Sequence, residues 1–113
     1  MDIDARLEDV ERRYDELTAR MADPATSANP DLLRRTGKDL AELEAIVVPF
    51  RRYREARRQA EEARALAAAE ADGEMVTYLR GEADAADRAA TELRAALEEL
   101  LVPKDPKIGR AHV

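Results

Sequence analysis

Apolar side chains recur along this chain at alternating steps of three and four, and the breaks in that rhythm divide it into helices. Ile3, Leu7, Val10, Tyr14, Leu17 and Met21 form the first stripe, with the one-sided spacing of a coiled-coil helix. Asp2 or Asp4 can cap its N-terminus. The stretch "ADPATSANP" ends it, because two prolines and small polar residues do not continue a helix, and it is expected to be a loop. Asn29, Pro30 and Asp31 then read as cap, first helical residue and dipole partner of a second helix.

The second stripe runs through Leu33, Thr36, Leu40, Leu43, Val47 and Phe50, and continues through Tyr53, Ala56, Ala60, Ala63 and Ala67 with smaller side chains. Pro49 lies inside it. A proline there removes one amide donor and crowds the carbonyl a turn earlier, so the pattern predicts one helix from Pro30 to about Ala71 kinked near Pro49, or alternatively two helices meeting there. Asp72-Gly73 marks the next turn, with Gly73 suited to a positive-φ helix end and Asp72 to the following cap. A new stripe, out of phase with the last, follows: Val76, Leu79, Ala83, Ala86, Ala90, Leu93, Leu97 and Leu100. Gly81 weakens this helix by about 1 kcal/mol relative to alanine, and Pro103 stops it. The expected fold is all-α: a three-helix antiparallel bundle or coiled-coil-like hairpin with a long, kinked second helix.

Composition sharpens this picture. Of 113 residues, 39% are charged and 4% aromatic, and much of the apolar 45% is alanine, the mark of long helices with a thin core. The net charge of −6 argues against a generally basic nucleic-acid binder but leaves room for a local basic patch. There are no cysteines, which excludes disulfides and thiolate metal sites and fits a reducing compartment. The acidic, amphipathic start has no signal-peptide pattern. No apolar run reaches the roughly 18–20 residues of a membrane span. A cytoplasmic protein with no membrane partner is expected.

Chemistry is sparse. The single histidine, His112, and the single serine, Ser27, lie in segments expected to be irregular, a poor basis for a nucleophile and its base. Glu61-Glu62 and Glu98-Glu99 read as solvated helix faces. No glycine-rich phosphate loop or metal-ligand cluster occurs, so no catalytic residue, cofactor, metal or small-molecule substrate is expected. The stretch "RRYREARR" is the one patch to weigh. Arg54, Arg57 and Arg58 share a helix face, and with Arg51 they are candidates for contact with RNA phosphates or an acidic protein surface. The competing reading pairs these arginines with Glu55, Glu61 and Glu62 on a solvated helix.

The order of several segments carries a resemblance. "RYDELTARMADP", "LAELEAIVVPFRRYREA", "ADGEMVTYLRGEA" and "LEELLVPKDP" occur in sequence, and together they resemble the N-terminal helical domain of the bacterial peptide chain release factor 1 family over residues 3 to 106. "LLVPKDP" is the most specific piece, because in that family a similar segment leaves the helical domain for the central one; the release factor 2 family usually lacks it. The resemblance implies translation termination at stop codons by the whole protein, and a domain that faces the GTPase-associated region of the large ribosomal subunit. It makes the arginine patch a candidate rRNA or ribosomal-protein contact. The Gly-Gly-Gln loop of ester hydrolysis and the Pro-x-Thr type codon-reading motif of that family are not in this sequence, so neither role transfers to any residue here.

The expected organisation is a helical domain over 1–102, the start of a connector to a missing central domain over 103–106, and a non-native or disordered tail over 107–113. The string "IGRAHV" is also what the codons of a common sequencing-library adapter spell, with Lys107 at the join. A fragment of a release factor 1 is the leading functional expectation. An independent helical adaptor that binds a partner through its apolar stripes is the alternative.

Overall fold

The computed structural model describes residues 2–102. Within them the chain is helical and lacks strands: α1 (Ile3–Met21), α2 (Pro24–Ser27), α3 (Pro30–Ala69) and α4 (Gly73–Leu101). Pro103, the 103–106 connector, the 107–113 tail and His112 lie outside the described residues.

Local chemistry accounts for the boundaries. Asp2 caps α1 by accepting from the Asp4 amide at 3.0 Å, and Asn29 caps α3 by accepting from the Leu32 amide at 3.1 Å. The expected loop contains one turn of helix, α2. Asp23 caps it, Pro24 occupies its first position, and Thr26 is buried. The Asp23-Pro24 pair is itself a helix-start signal that the two prolines overshadow.

The α3–α4 turn departs from expectation at Gly73. No described residue has a positive φ. Gly73 is instead the first residue of α4, capped by Asp72. The chain reverses through extended residues, Glu70 (φ −88°, ψ 136°) and Asp72 (φ −79°, ψ 119°). The Glu70 side chain accepts from the Asp72 amide at 3.1 Å, so the turn needs no left-handed residue. α3 accordingly ends at Ala69, not near Ala71.

Pro49 does not divide α3, which runs unbroken for 40 residues, about 60 Å at about 1.5 Å per residue. The interruption costs about 3 kcal/mol in an isolated helix. It is offset by Val47, Phe50 and Tyr53, all buried immediately around it.

Pairing is antiparallel throughout. Along α1, Asp4, Glu11 and Asp15 meet Arg57, Arg54 and Arg51 of α3. Along α4, Asp87 and Arg94 meet Arg64 and Tyr53 of α3. α1 thus packs along α3 as far as Arg57 and α4 along it at least from Tyr53 to Arg64, and the three meet where those stretches overlap. There Ile3 and Leu7 of α1, Phe50, Tyr53 and Ala56 of α3, and Ala90 and Leu97 of α4 form the core. The Arg6 guanidinium, donating to the Leu101 carbonyl at 3.0 Å, ties the start of α1 to the end of α4. The result is a thin plate, 61 × 46 × 19 Å.

One expected core position is misplaced. Leu100 is 47% exposed, while Leu101 packs against the core. The α4 stripe continues from Leu97 by a step of four. Among the described residues no helix is long and apolar enough to cross a membrane.

Two stability outcomes follow. Leu97 is fully buried, so Leu97→Ala should cost about 2–5 kcal/mol. Leu97→Asp should abolish the cooperative helical transition in circular dichroism, while Leu100→Asp should shift stability by no more than about 0.5 kcal/mol. A Cβ added at Gly81 meets nothing within 4 Å, so Gly81→Ala should raise the urea-unfolding free energy by about 1 kcal/mol.

Candidate functional site

Three-residue steps bring the arginines of α3 to the edge along α1. Arg51, Arg54 and Arg57 follow one another at that spacing, beside Phe50 and Tyr53, whose rings anchor the same stretch in the core. Each guanidinium lies over an aromatic ring: Arg51 over Tyr14 at 5.5 Å, Arg54 over Phe50 at 4.7 Å, and Arg57 over Tyr53 at 5.5 Å.

Glu11 is the hub of this edge. Arg54 donates to both of its carboxylate oxygens, at 3.1 and 2.9 Å, and Arg51 Nε donates to one of them at 2.7 Å. This two-pronged, charge-assisted arrangement fixes the register of α1 on α3. The hydrogen bond from Arg54, opposed by partial burial and reinforced by Arg51, holds the Glu11 carboxyl below its ordinary pKa. The reciprocal hydrogen bond raises that of Arg51. Arg51 also reaches Asp15 at 3.4 Å.

The other two predicted contact residues are held differently. Arg58 pairs with Glu55 at 2.7 Å and Glu62 at 3.5 Å on its own helix. Glu55 is thereby held below, and Arg58 above, its ordinary value. Arg57 lies 3.5 Å from Asp4 and donates to the Tyr53 hydroxyl at 3.3 Å. Pairing within α3 therefore accounts for Arg58 alone. The partners of Arg51, Arg54 and Arg57 lie on α1 or on a tyrosine, and Glu61 forms no ion pair among the described residues.

The sequence reading missed Arg94. From α4 its Nη1 donates to the Tyr53 hydroxyl at 3.1 Å, beside Arg57. This hydrogen bond is the main reason its pKa is raised. An i, i+4 pair with Glu98, at 3.4 Å, is the only sign of it in the primary structure. Tyr53, Arg57, Asp87, Ala90, Thr91 and Arg94 line an open groove of about 380 Å³ between α3 and α4.

Elsewhere the chemistry is thin. Ser27 ends α2 and makes no side-chain hydrogen bond among the described residues. Among those residues no group of three or more His, Asp or Glu side chains is placed to hold a metal ion. A second groove between α3 and α4, about 310 Å³, has Ala63, Leu66, Tyr78 and Leu79 along it, with Glu62 and Glu82 at its rim. Leu66, Met75 and Tyr78 are exposed near that end of the plate.

Comparison with known proteins gives this arrangement a family. The PCRF domain family matches residues 10–111. The chain belongs to the PCRF domain family. It is 40% identical over 101 residues to peptide chain release factor 1 of Acidobacterium capsulatum, 37% to that of a Geobacillus species and 35% to that of Clostridium perfringens. Each alignment covers 89% of this chain and 28% of the relative, so the chain spans just over a quarter of the length of the proteins it matches. No solved structure matches it. The PCRF match takes in α3, α4 and most of α1, and so includes the Glu11 clamp and the Arg57–Arg94 pair.

The clamp has a measurable signature. A double-mutant cycle between Glu11→Gln and Arg54→Gln should give a coupling of about 1 kcal/mol in urea unfolding, the upper end for partly exposed pairs. Glu11 titrates at lower pH in the fold than in the unfolded chain, so its contribution is complete above the unfolded value of about 4.3 and is lost as pH falls through the lower folded value. The stability gap between wild type and Glu11→Gln should therefore hold at neutral pH and shrink on acidification below about pH 4.

Proposed function

We propose that this chain is the N-terminal helical domain of a bacterial peptide chain release factor 1, a fragment of a cytoplasmic protein that acts in translation termination. The carrying observation is the PCRF match over residues 10–111, together with 35–40% identity to release factor 1 proteins over 89% of the chain. In this reading residues 1–102 are the ribosome-facing domain and 103–106 begin a connector toward a central domain. The domain is a docking and positioning element, not an enzyme. Its partner is the large ribosomal subunit near the GTPase-associated region, through rRNA or ribosomal protein. Ester hydrolysis and codon reading belong to the remainder of the whole protein.

The geometry ranks the candidate contacts. Arg51 and Arg54 are committed to Glu11, and Arg58 to Glu55 and Glu62. Among the described residues Arg57 has one ion-pair partner, Asp4 at 3.5 Å, and is the most available of the four to an outside partner.

A second reading, an independent helical adaptor, draws on the exposed Leu66, Met75 and Tyr78. Three measurements separate the two. The purified chain should release no nascent peptide from ribosomes stalled at a stop codon, yet cosediment with large ribosomal subunits. Residues 1–106 grafted in place of the corresponding part of a release factor 1 should retain stop-codon-dependent release. The genomic reading frame should continue past the Pro106 codon into a glycine-rich central domain. Release by the chain alone, or a graft that abolishes release while remaining folded, would sink the first reading.

A further inference from the structure

The groove at Tyr53 holds an unusual set of hydrogen-bond donors. Tyr53 is 5% exposed, its ring packed where the three long helices meet. Its hydroxyl oxygen accepts from two guanidiniums, Arg57 Nη1 of α3 at 3.3 Å and Arg94 Nη1 of α4 at 3.1 Å. A phenol oxygen with both acceptor positions occupied still carries its own proton. That proton has no acceptor among the described residues. Two cations and one unspent donor thus converge on the groove of about 380 Å³ that Thr91 also lines.

The carboxylates around this set are poorly placed to neutralise it. Asp4 approaches Arg57 at 3.5 Å by one oxygen, its Oδ1 being buried without a hydrogen-bond partner among the described residues, and Glu98 approaches Arg94 at 3.4 Å from an exposed side chain. Asp87, the acid in the groove itself, pairs with Arg64. Arg54, by contrast, makes two contacts of 2.9 and 3.1 Å with Glu11. Exchanging the long, solvent-screened Glu98 contact for a closer anion costs little.

We propose that the Tyr53–Arg57–Arg94 groove is a binding site for a phosphate group, supplied by an RNA strand. The three donors come from two helices and point from different directions, so a tetrahedral anion with several oxygens can engage all of them. A side-chain carboxylate keeps its acceptor sites in one plane, so it meets donors that approach from several directions less well than a tetrahedral phosphate does. Arg57 and Arg94 take one phosphate oxygen each and the Tyr53 hydroxyl donates to the phosphate as well. The source of the phosphate rests on the ribosomal reading above, while the site itself rests on the donor geometry.

The test is fluorescence anisotropy of a labelled single-stranded RNA oligonucleotide titrated with the 113-residue chain at low salt, repeated with inorganic phosphate and with a poly-glutamate peptide as competitors. Arg57→Gln and Arg94→Gln should each weaken RNA binding about tenfold, and Tyr53→Phe, which keeps the ring and the core, severalfold. Arg52→Gln should leave binding within about twofold, because Arg52 is exposed and outside the groove. Inorganic phosphate should compete, and circular dichroism should show every variant folded. Equal weakening by Arg52→Gln would mean diffuse electrostatics and overturn the site. Competition by poly-glutamate with the same variant pattern, but no competition by phosphate, would make it a carboxylate site and overturn the proposal. Absence of RNA binding overturns it too. If the chain then still cosediments with large ribosomal subunits, the ribosomal reading survives and the phosphate site alone fails.

Discussion

A single helix cannot bury one straight stripe against two partners that lie on opposite sides of it. α3 faces that constraint, because α1 packs along it as far as Arg57 and α4 along it at least from Tyr53 to Arg64. The solution is written in residue spacing. Val47, Phe50, Tyr53 and Ala56 follow one another at steps of three, and each such step falls short of a full turn by roughly 60°. Three steps rotate the buried face by roughly half a turn. By helical angle the buried Thr36 and Val47 lie on one side of α3, and the buried Ala60, Ala63 and Ala67 on roughly the opposite one. The two largest buried rings, Phe50 and Tyr53, occupy the crossover, where all three long helices meet.

The crossover explains why the plate holds together with so little apolar volume. The α3–α4 interface is dominated by alanines, which let the backbones approach closely but each bury little surface. The α1–α3 interface has leucine and isoleucine at α1's start and only Leu17 fully buried toward its end. The Glu11 clamp stands between those two groups. Its energy is modest, since its arginines are about half exposed. Its geometry is specific: a shift of α1 by one turn would move Glu11 away from both arginines and leave a half-buried carboxylate without a partner. Apolar contact supplies the adhesion here, and the ion pairs choose the register.

Much of this was legible in the primary structure. The three long helices, the caps at Asn29 and Asp72, and nearly every buried position were legible because three-and-four periodicity and capping chemistry are local. A single α3 running through Pro49 was legible too, because Val47, Phe50 and Tyr53 carry the apolar stripe across the proline. Gly73 was misread because Asp-Gly suggests a left-handed turn, whereas an Asp cap and two extended residues reverse the chain equally well. α2 was missed because one turn of helix leaves no periodicity to detect. The candidate site fared worse for a physical reason. Which acid an arginine meets depends on the helix across from it, and Glu11 and Arg94 lie 40 or more residues from their partners in α3.

Packing against α1 and α4 also divides the arginines of "RRYREARR". As a string it is a block of positive charge. In the fold it separates into three roles set by angle around α3. Arg51 and Arg54 point along α1 and fasten it; Arg58 is quenched by its own helix; Arg57 turns toward Tyr53 and meets Arg94 from α4. Tyr53 lies at the last of the three-residue steps before the alanines begin, where the first turns of α1 and the C-terminal half of α4 both reach α3. The rotation that lets α3 serve two partners is therefore also what brings cations from two helices onto one phenol oxygen. Removing it, by placing Tyr53 a residue earlier or later, would turn the ring by roughly 100° and separate the pair without altering the charge of the chain.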